Sequence, residues 1–470
     1  MGTAWTTSGL DLFLRAAPGA GRRDGLERAL REAVRAGRLA PGTRLPASRG
    51  LARDLGVSRG TVTHAYAQLV AEGYLVGRHG SGTYVADRPV PAAPVRPARP
   101  RAVPGPADRP RHDLRPGIPD LTTFPRAAWL AATRRVLNSA PAEVFGAADA
   151  AGRPELRAAL AAYLGRARGV VTSPDRIVIC NGYAQAVTLM CRVVAAAGRH
   201  GAFAFEDFSL PKLPAAARAA GLTAPAVPVD EEGARVGDLR ADALVVTPAH
   251  QYPLGVTLSA PRRGELIDWA RETGGILVED DYDGEFRYDR QPVGALQGLA
   301  PDRVVYAGTA SKTLCPGLRL AWLALPGHLV APVAQAKAEL DRYAPALGQL
   351  VLADLITSGG YDRHVRRCRI RYRRRRDKLV GALSARAPHL ALTGVEAGLH
   401  AVLPLPGPDG ERDAQARARR AGLAVDALAD YYAAPDPPRS GLVIGYGTPP
   451  EHGFAPAVEA LLAALPGPDG

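Results

Sequence analysis

Cysteine is scarce: the four in this chain of 470 residues, Cys180, Cys191, Cys315 and Cys368, are widely spaced, with no C-x-x-C pair and no flanking histidine pair. That excludes a disulfide framework and a sequence-encoded zinc site, so no metal is expected, and it fits a protein kept in a reducing cytoplasm. Long apolar runs are missing too. No uninterrupted stretch reaches the roughly 18 residues of a membrane span, and the N-terminus lacks a basic segment followed by an apolar one. Neither a transmembrane segment nor a secretory signal is expected. No repeat of 20 to 50 residues is visible, which argues against a solenoid or propeller. Acidic residues are the minority, 46 against 59 Lys and Arg, for a formal charge of +13. Such a balance favours an anionic partner, nucleic acid first among them.

What is present points to more than one domain, because 470 residues of which 47% are hydrophobic exceed one ordinary core. Residues 88 to 111 hold eight prolines among arginines and alanines. This composition resists helix and sheet and makes an extended, positively charged linker. It divides a segment 1–87 from a segment 112–470. The small segment is densely basic, with 12 arginines against 7 acidic residues.

Within it, DGLERALREAVRAGRLA (24 to 40) places Leu26, Leu30, Val34 and Leu39 near one helical face. A second helix runs from Ser48 to Gly56, and a third opens at Ser58, a good N-cap, with Val62, Ala65, Leu69 and Val70 turned inward. Arg59, Gly60 and Thr61 then occupy an exposed first turn, where a recognition helix meets bases and phosphates. YLVGRHGSGTYVA (74 to 86) reads as two short strands around a glycine-rich turn. The alternative is a small helical module with merely solvated arginines. MGTAWT at the N-terminus matches the short myristoylation pattern, read as coincidence beside such a module.

Downstream, RIVIC (176 to 180), ALVV (243 to 246), GILV (275 to 278) and RVVYAG (303 to 308) alternate with alanine- and leucine-rich helical segments. This predicts a mostly parallel sheet with helices on both faces and ligands at the carboxyl ends of its strands. Three of those ends carry chemistry. GILVEDDYDGEF presents Asp280 and, two residues on, Tyr282 on the same side of an extended chain. RIVICNGYAQAV turns into a helix after Gly182, leaving the N–H groups of Tyr183 and Ala184 for an anion. GTASKTLCPGLRLAW sets Lys312 beside the hydroxyls of Thr309 and Ser311, with Arg319 as a phosphate fork. An amine, a carboxylate, a phenol and an anion cradle are what pyridoxal 5'-phosphate requires.

RLPASRGLARDLGVSRGTVTHAYAQLVAEGYLVGRHGSGTYVA closely resembles the winged helix-turn-helix of GntR-family regulators. The order NGYAQ, TPAHQYPLG, EDDYDGEFRY, GTASKTLCPGLR resembles fold type I aminotransferases, and with RPGIPDLTTFPRAAW the chain from about residue 24 looks like the MocR subfamily. The resemblance implies an α+β winged helix-turn-helix domain linked to an α/β aminotransferase-like domain that binds pyridoxal phosphate. It implies that Arg49, Arg59 and Thr61 contact a double-stranded operator, with His79 and Gly80 in the wing; His64 stands where relatives often carry arginine. It implies an internal aldimine at Lys312, Asp280 on the pyridine nitrogen and Tyr282 on the phenolic oxygen. Gly182, Tyr183, Ala184, Thr309, Ser311 and Arg319 would surround the phosphate, in a head-to-tail homodimer.

The sequence departs from that pattern in places. Phe208 and Leu210 stand where a proline and a ring-stacking aromatic are common, Phe145 where a tyrosine often reaches a partner's phosphate, and Tyr252 where aminotransferases have asparagine. LVIGYG (442 to 447) lacks the arginine that holds a substrate carboxylate, with Arg439 the nearest substitute. The run RHVRRCRIRYRRRRDK (363 to 378) reads as a solvated helix face with capacity for non-specific phosphate contacts. A regulator whose DNA binding responds to pyridoxal phosphate or to an amine condensed at Lys312 is the leading function, controlling vitamin B6 synthesis or amino-compound metabolism. Enzymatic turnover beyond half-transamination is not expected. A working aminotransferase with an appended DNA-binding domain and a cofactor-free scaffold are the alternatives.

Overall fold

The computed structural model describes residues 22–87, 110–197, 199–288, 293–435 and 437–467. The MGTAWT segment and most of the proline-rich linker lie outside these residues. The chain divides into two compact units, 1–108 and 109–470. Among the described residues no helix is long and apolar enough to cross a membrane.

Among its described residues, the first unit forms three helices and a β-hairpin. Helix α1 (Arg22–Arg35) stops earlier than its sequence pattern suggests, because Gly37 takes a positive φ of 70°. Leu39 still packs inward from the turn, its N–H bonded to Ala33 O at 3.1 Å. Helix α2 (Ser48–Leu55) ends at Gly56 in the left-handed region, and α3 (Arg59–Ala71) starts where the Ser58 hydroxyl accepts the Thr61 N–H at 3.1 Å. Strands β1 (Leu75–Arg78) and β2 (Gly82–Val85) pair antiparallel. Leu26, Leu30, Val34, Leu51, Val62, Ala65 and Leu69 share one core. Val70 does not join it: it is 40% exposed, and Tyr66 is buried in its place. Positions 62, 65, 66 and 69 make one helical stripe, and Val70 lies a further 100° round.

The second unit is built on a seven-stranded sheet. In chain order its strands are β3 (Ile177–Cys180), β4 (Phe203–Glu206), β5 (Ala226–Val227), β6 (Ala243–Val246), β7 (Ile276–Asp281), β8 (Val304–Thr309) and β9 (Ala321–Ala324). They lie in the order β3-β9-β8-β7-β6-β4-β5. All neighbours run parallel except β9, which is antiparallel to both β3 and β8. Period-two alternation feeds two cores. Val178, Val245, Val278, Val305 and Leu323 face helix α4 (Tyr183–Ala197) through Val187, Met190 and Val194, whereas Ile177, Ile179, Tyr306 and Trp322 face Leu156, Leu160, Leu352 and Ile356. The carboxyl ends of β3, β4, β6, β7 and β8 therefore open on one edge.

A smaller sheet, His400–Pro404 with Gly441–Gly445 and Asp426–Ala427, packs with the long helix α5 (Gly360–Arg386) and the helices Gly407–Arg420 and Glu451–Ala464. The basic run lies on α5, and two basic members depart from a solvated face: His364 and Arg375 are each 1% exposed. Arg375 is the arginine among them. It donates to Asp120 at 2.8 Å and Glu451 at 3.0 Å and to three backbone carbonyls near the end of the chain. Arg366, Arg367, Arg373 and Arg374 are exposed as expected.

Candidate functional site

All six residues of β7 are buried, so its polar end is delivered into the interior. There Asp280 is 5% exposed and its Oδ1 accepts no hydrogen bond. The Tyr183 hydroxyl at the start of α4 sits near it, buried and likewise without a well-formed partner. Burial pushes the Asp280 carboxyl up to about 8, against the opposing influence of Tyr183 and Lys312. On its own this acid is mostly protonated at neutral pH. A cationic N–H placed against it would restore the carboxylate.

β8 ends at Thr309, and the turn that follows carries Lys312. Its Nζ donates to the carbonyl of Gly117. Burial lowers the amine's pKa, while Asp280 and Asp283 oppose that shift. Thr309 Oγ1 lies 2.8 Å from the Ser311 hydroxyl and accepts the Ser311 N–H at 3.1 Å. Arg319 adopts a left-handed backbone, φ 53°, and reaches back to donate to Asn181 O at 2.6 Å. Between them is Gly182 at φ 86°, just before the N–H groups of Tyr183 and Ala184 that have no acceptor within α4. Hydroxyls, fork and helix start thus converge on one anion-sized space.

These residues line a cavity of about 660 Å³ that also takes in Glu206, Leu210, Lys212, Thr247, Tyr252, Asp426 and Tyr431. It gathers Asp280, Tyr282, Lys312, Thr309, Ser311, Arg319, Tyr183 and Ala184 from four strand ends. A hollow of about 960 Å³ on the first unit is larger, but its one charged lining residue is Arg44. It lacks the combination of amine, acid and anion cradle.

The departures noted in the sequence resolve in different ways. Phe208 does not substitute for a ring-stacking aromatic: it is 1% exposed and packs on Tyr432 at 4.7 Å, outside the cavity lining, which Leu210 joins. Arg439 does not reach the cavity; it pairs with Glu231 at 2.8 Å. Phe145 is 52% exposed. Tyr252 lines the cavity beside Tyr282, ring centroids 5.6 Å apart.

Sequence reasoning missed several residues. Glu206, at the end of β4, accepts from the Thr247 hydroxyl at 2.6 Å and the Gln251 amide at 3.0 Å, and burial pushes its carboxyl up to about 7. Behind Tyr282 lie His250, Asp283 and His400, all buried, with His250 Nδ1 2.9 Å from Asp283 Oδ2. His250 stands in the TPAHQYPLG stretch, where only Tyr252 draws notice as a departure.

On the first unit, Arg49 and Arg59 are exposed at the starts of α2 and α3, Thr61 is half-buried with its hydroxyl 2.8 Å from Ser58 Oγ, and His64 is exposed one turn on. His79 and Gly80 are exposed in the β1–β2 turn, where Gly80 has a φ of 74°.

Residues 22–85 match the model of bacterial regulatory proteins of the gntR family, and residues 116–433 that of class I and II aminotransferases. The chain is 35% identical over 424 residues to the HTH-type pyridoxine biosynthesis transcriptional regulator PdxR of Corynebacterium glutamicum, covering 89% of this chain and 90% of that protein. It is 32% identical over 444 residues to the probable rhizopine catabolism regulatory protein MocR of Rhizobium meliloti, covering 89% and 88%. Among solved structures it is similar to an archaeal alanine:glyoxylate aminotransferase, with a TM-score of 0.68 and 27% identity over 75% of this chain and 89% of the other.

Proposed function

The chain belongs to the MocR subfamily of gntR-family transcriptional regulators, a DNA-binding unit joined to an aminotransferase-like one, and on that premise we propose that the second unit holds pyridoxal 5'-phosphate at Lys312 and that occupancy of this site alters DNA binding by the first. The observation that carries this reading is the meeting of an orphaned, buried Asp280 Oδ1 and a half-buried amine, Lys312, in one cavity. Asp280 Oδ1 has no hydrogen-bond partner to offset its burial, and the Lys312 amine has one, the Gly117 carbonyl.

When bound, the cofactor supplies an aldehyde that condenses with a primary amine and a ring nitrogen that withdraws electrons. Lys312, its pKa lowered by burial, offers that amine with a larger neutral fraction than a surface lysine has. Asp280 holds a proton at the ring nitrogen, and Tyr282 donates toward the phenolic oxygen. Arg319, Thr309, Ser311 and the N–H groups after Gly182 receive the phosphate. On the DNA side, Arg49, Arg59, Thr61, His79 and Gly80 contact a double-stranded operator. We take residues 1–87 as the DNA-binding domain, 88–111 as a linker, 112–470 as the cofactor domain, and a head-to-tail homodimer as the cytoplasmic form.

The effector would be pyridoxal phosphate itself or a primary amine that binds in the same cavity. Coupling requires that it bind two states of the protein unequally. PdxR, named for pyridoxine biosynthesis, supports a role in vitamin B6 control over one in amino-compound metabolism. An active aminotransferase is the weaker reading: the cationic side chains lining the cavity are Lys212, Lys312 and Arg319, with Arg439 engaged elsewhere. Anisotropy titration of the protein's own upstream DNA, with and without pyridoxal phosphate and with a panel of amines, tests the proposal. Affinity that changes with cofactor supports it; identical affinity under every condition overturns it.

A further inference from the structure

Tyr282 is followed in the chain by a second buried acid. The Asp283 side chain is 2% exposed and meets the His250 ring, Nδ1 to Oδ2 at 2.9 Å. The same Nδ1 lies 3.1 Å from the Tyr282 hydroxyl oxygen, and that hydroxyl donates to the His250 carbonyl at 3.0 Å. His250 is thus a shared donor, with one N–H facing a carboxylate and a phenol oxygen together. The Tyr282 phenol has its pKa raised well above the ordinary value, by burial first and then by the Asp283 charge.

The groups packed round this pair are accounted for. His400, its ring centroid 4.9 Å from that of His250, has its pKa driven well below the usual value by burial, and its Nε2–H donates to Pro253 O at 3.1 Å. Tyr252 presents an edge to Tyr282, and Arg287 donates to Ala249 O at 3.0 Å. Lys312 and Asp280 lie on the cavity side. The backbone of Gly398 closes the remaining approach: a Cβ there would stand 2.3 Å from Asp283 Oδ2 and 2.4 Å from His250 Cε1.

We propose that His250, held by Asp283, is a positioning residue for Tyr282: by occupying the carboxylate it leaves the Tyr282 proton on a neutral acceptor, the His250 carbonyl, from which an anionic oxygen in the cavity can draw it. A phenol has one proton. An unoccupied carboxylate beside it would be the stronger acceptor and would turn the hydroxyl away from the cavity. With His250 donating to both, Tyr282 is also polarised as a donor. This rests on the reading that pyridoxal phosphate occupies the cavity, where the anionic oxygen is the cofactor's phenolate. His250, Asp283 and His400 bring ligand atoms within 4.8 Å of one another, as a metal site would. Yet Nδ1 of His250 and Nε2 of His400 are already engaged, which favours a hydrogen-bonded relay.

The test is the pH midpoint of the visible absorption of the lysine-linked cofactor in the full-length protein. Tyr282 stabilises the phenolate left when the shared proton departs, so losing its donation raises the midpoint. His250→Leu is expected to raise it by about one pH unit, the size of one hydrogen bond. His250→Asn, whose side-chain amide nitrogen stands two bonds from Cβ as Nδ1 does and can still donate to Asp283, should raise it by less than half as much. His250→Leu combined with Asp283→Asn should return toward wild type, and in a Tyr282→Phe background His250→Leu should add nothing. If the leucine variant does not fold, His250→Ala, which has no donor for Asp283, should shift the midpoint in the same direction. An unshifted midpoint in a folded leucine or alanine variant, an asparagine variant shifted as far as leucine, or a stoichiometric transition metal lost on substituting His400 overturns the proposal. Wild type without a visible band after pyridoxal phosphate is added would remove the cofactor reading and this inference together. A wild-type band abolished by Lys312→Ala, with unshifted His250 variants, would remove the inference alone.

Discussion

A Cβ built on Gly182 would stand 2.7 Å from the guanidinium carbon of Arg319. The fork of Arg319 lies directly across the turn that ends β3, and no other residue at 182 leaves it room. Gly182→Ala would also strain a φ of 86°. The expected outcome is a displaced Arg319 and a loss of pyridoxal phosphate affinity of about tenfold or more, the cost of one charge-assisted hydrogen bond. Fluorescence or absorbance titration of the purified protein reads it directly. Affinity equal to wild type would show that the Arg319 fork does not hold the phosphate.

Asp280 gives a prediction with a sign. Its folded-state pKa, about 8, lies above the ordinary carboxylate value, so the folded protein without cofactor binds a proton that the unfolded chain has released. Stability from this group therefore falls as pH rises from about 4 to about 8. Asp280→Asn removes that dependence. Without cofactor the variant should melt at least about 2 °C above wild type at pH 8, with the gap narrowing toward pH 5. With pyridoxal phosphate the order should reverse, because the ring nitrogen loses its carboxylate. Thermal melts at the two pH values, with and without cofactor, check both halves.

These two residues show what the sequence makes legible. Asp280 and Gly182 end strands of a parallel sheet, and such ends carry ligands whatever the fold's detail, so a β-branched run followed by polar residues is sufficient to find them. Thr309, Ser311 and Lys312 follow the same rule. His250 and Asp283 are 33 residues apart and His400 is 147 from its acceptor at Pro253, so their meeting is a product of tertiary packing that no local pattern encodes. Arg375 misleads for the opposite reason. Arg373 and Arg374 just before it are exposed, and nothing nearby in sequence signals that Asp120, 255 residues away, takes this one inward.

Arg59 heads α3 with its side chain in solvent, next to the Ser58 cap. Arg59→Ala should weaken binding to the protein's own operator by about 10- to 100-fold if it reads a base, with relaxed sequence preference. If it touches only phosphate, the loss is uniform across sequences and the salt slope falls by about one. Ser58→Ala acts differently. It removes the cap of α3 and should cost about 1 kcal/mol of stability. Anisotropy over a salt series, paired with thermal melts, separates the two effects.

Arg168 and Asp281 form an ion pair at 2.6 Å, with side chains 5% and 2% exposed. Asp281 also accepts from the Tyr306 hydroxyl at 2.8 Å. Two more acids share the neighbourhood, Glu279 and Glu285, each pushed up to about 7, by burial first and then by the Asp281 charge. Arg168 is therefore the counter-charge to Asp281, one residue from Asp280. Arg168→Met leaves that charge stranded and should cost about 3–5 kcal/mol, because a buried partner is removed rather than the pair replaced. Arg168→Met combined with Asp281→Leu should recover a large part of the loss, since apolar replacements of buried pairs are often close to neutral. Denaturant melts of the three variants decide it. A single variant as stable as wild type would mean that water reaches Asp281 and that its burial is not what holds this end of β7 in place.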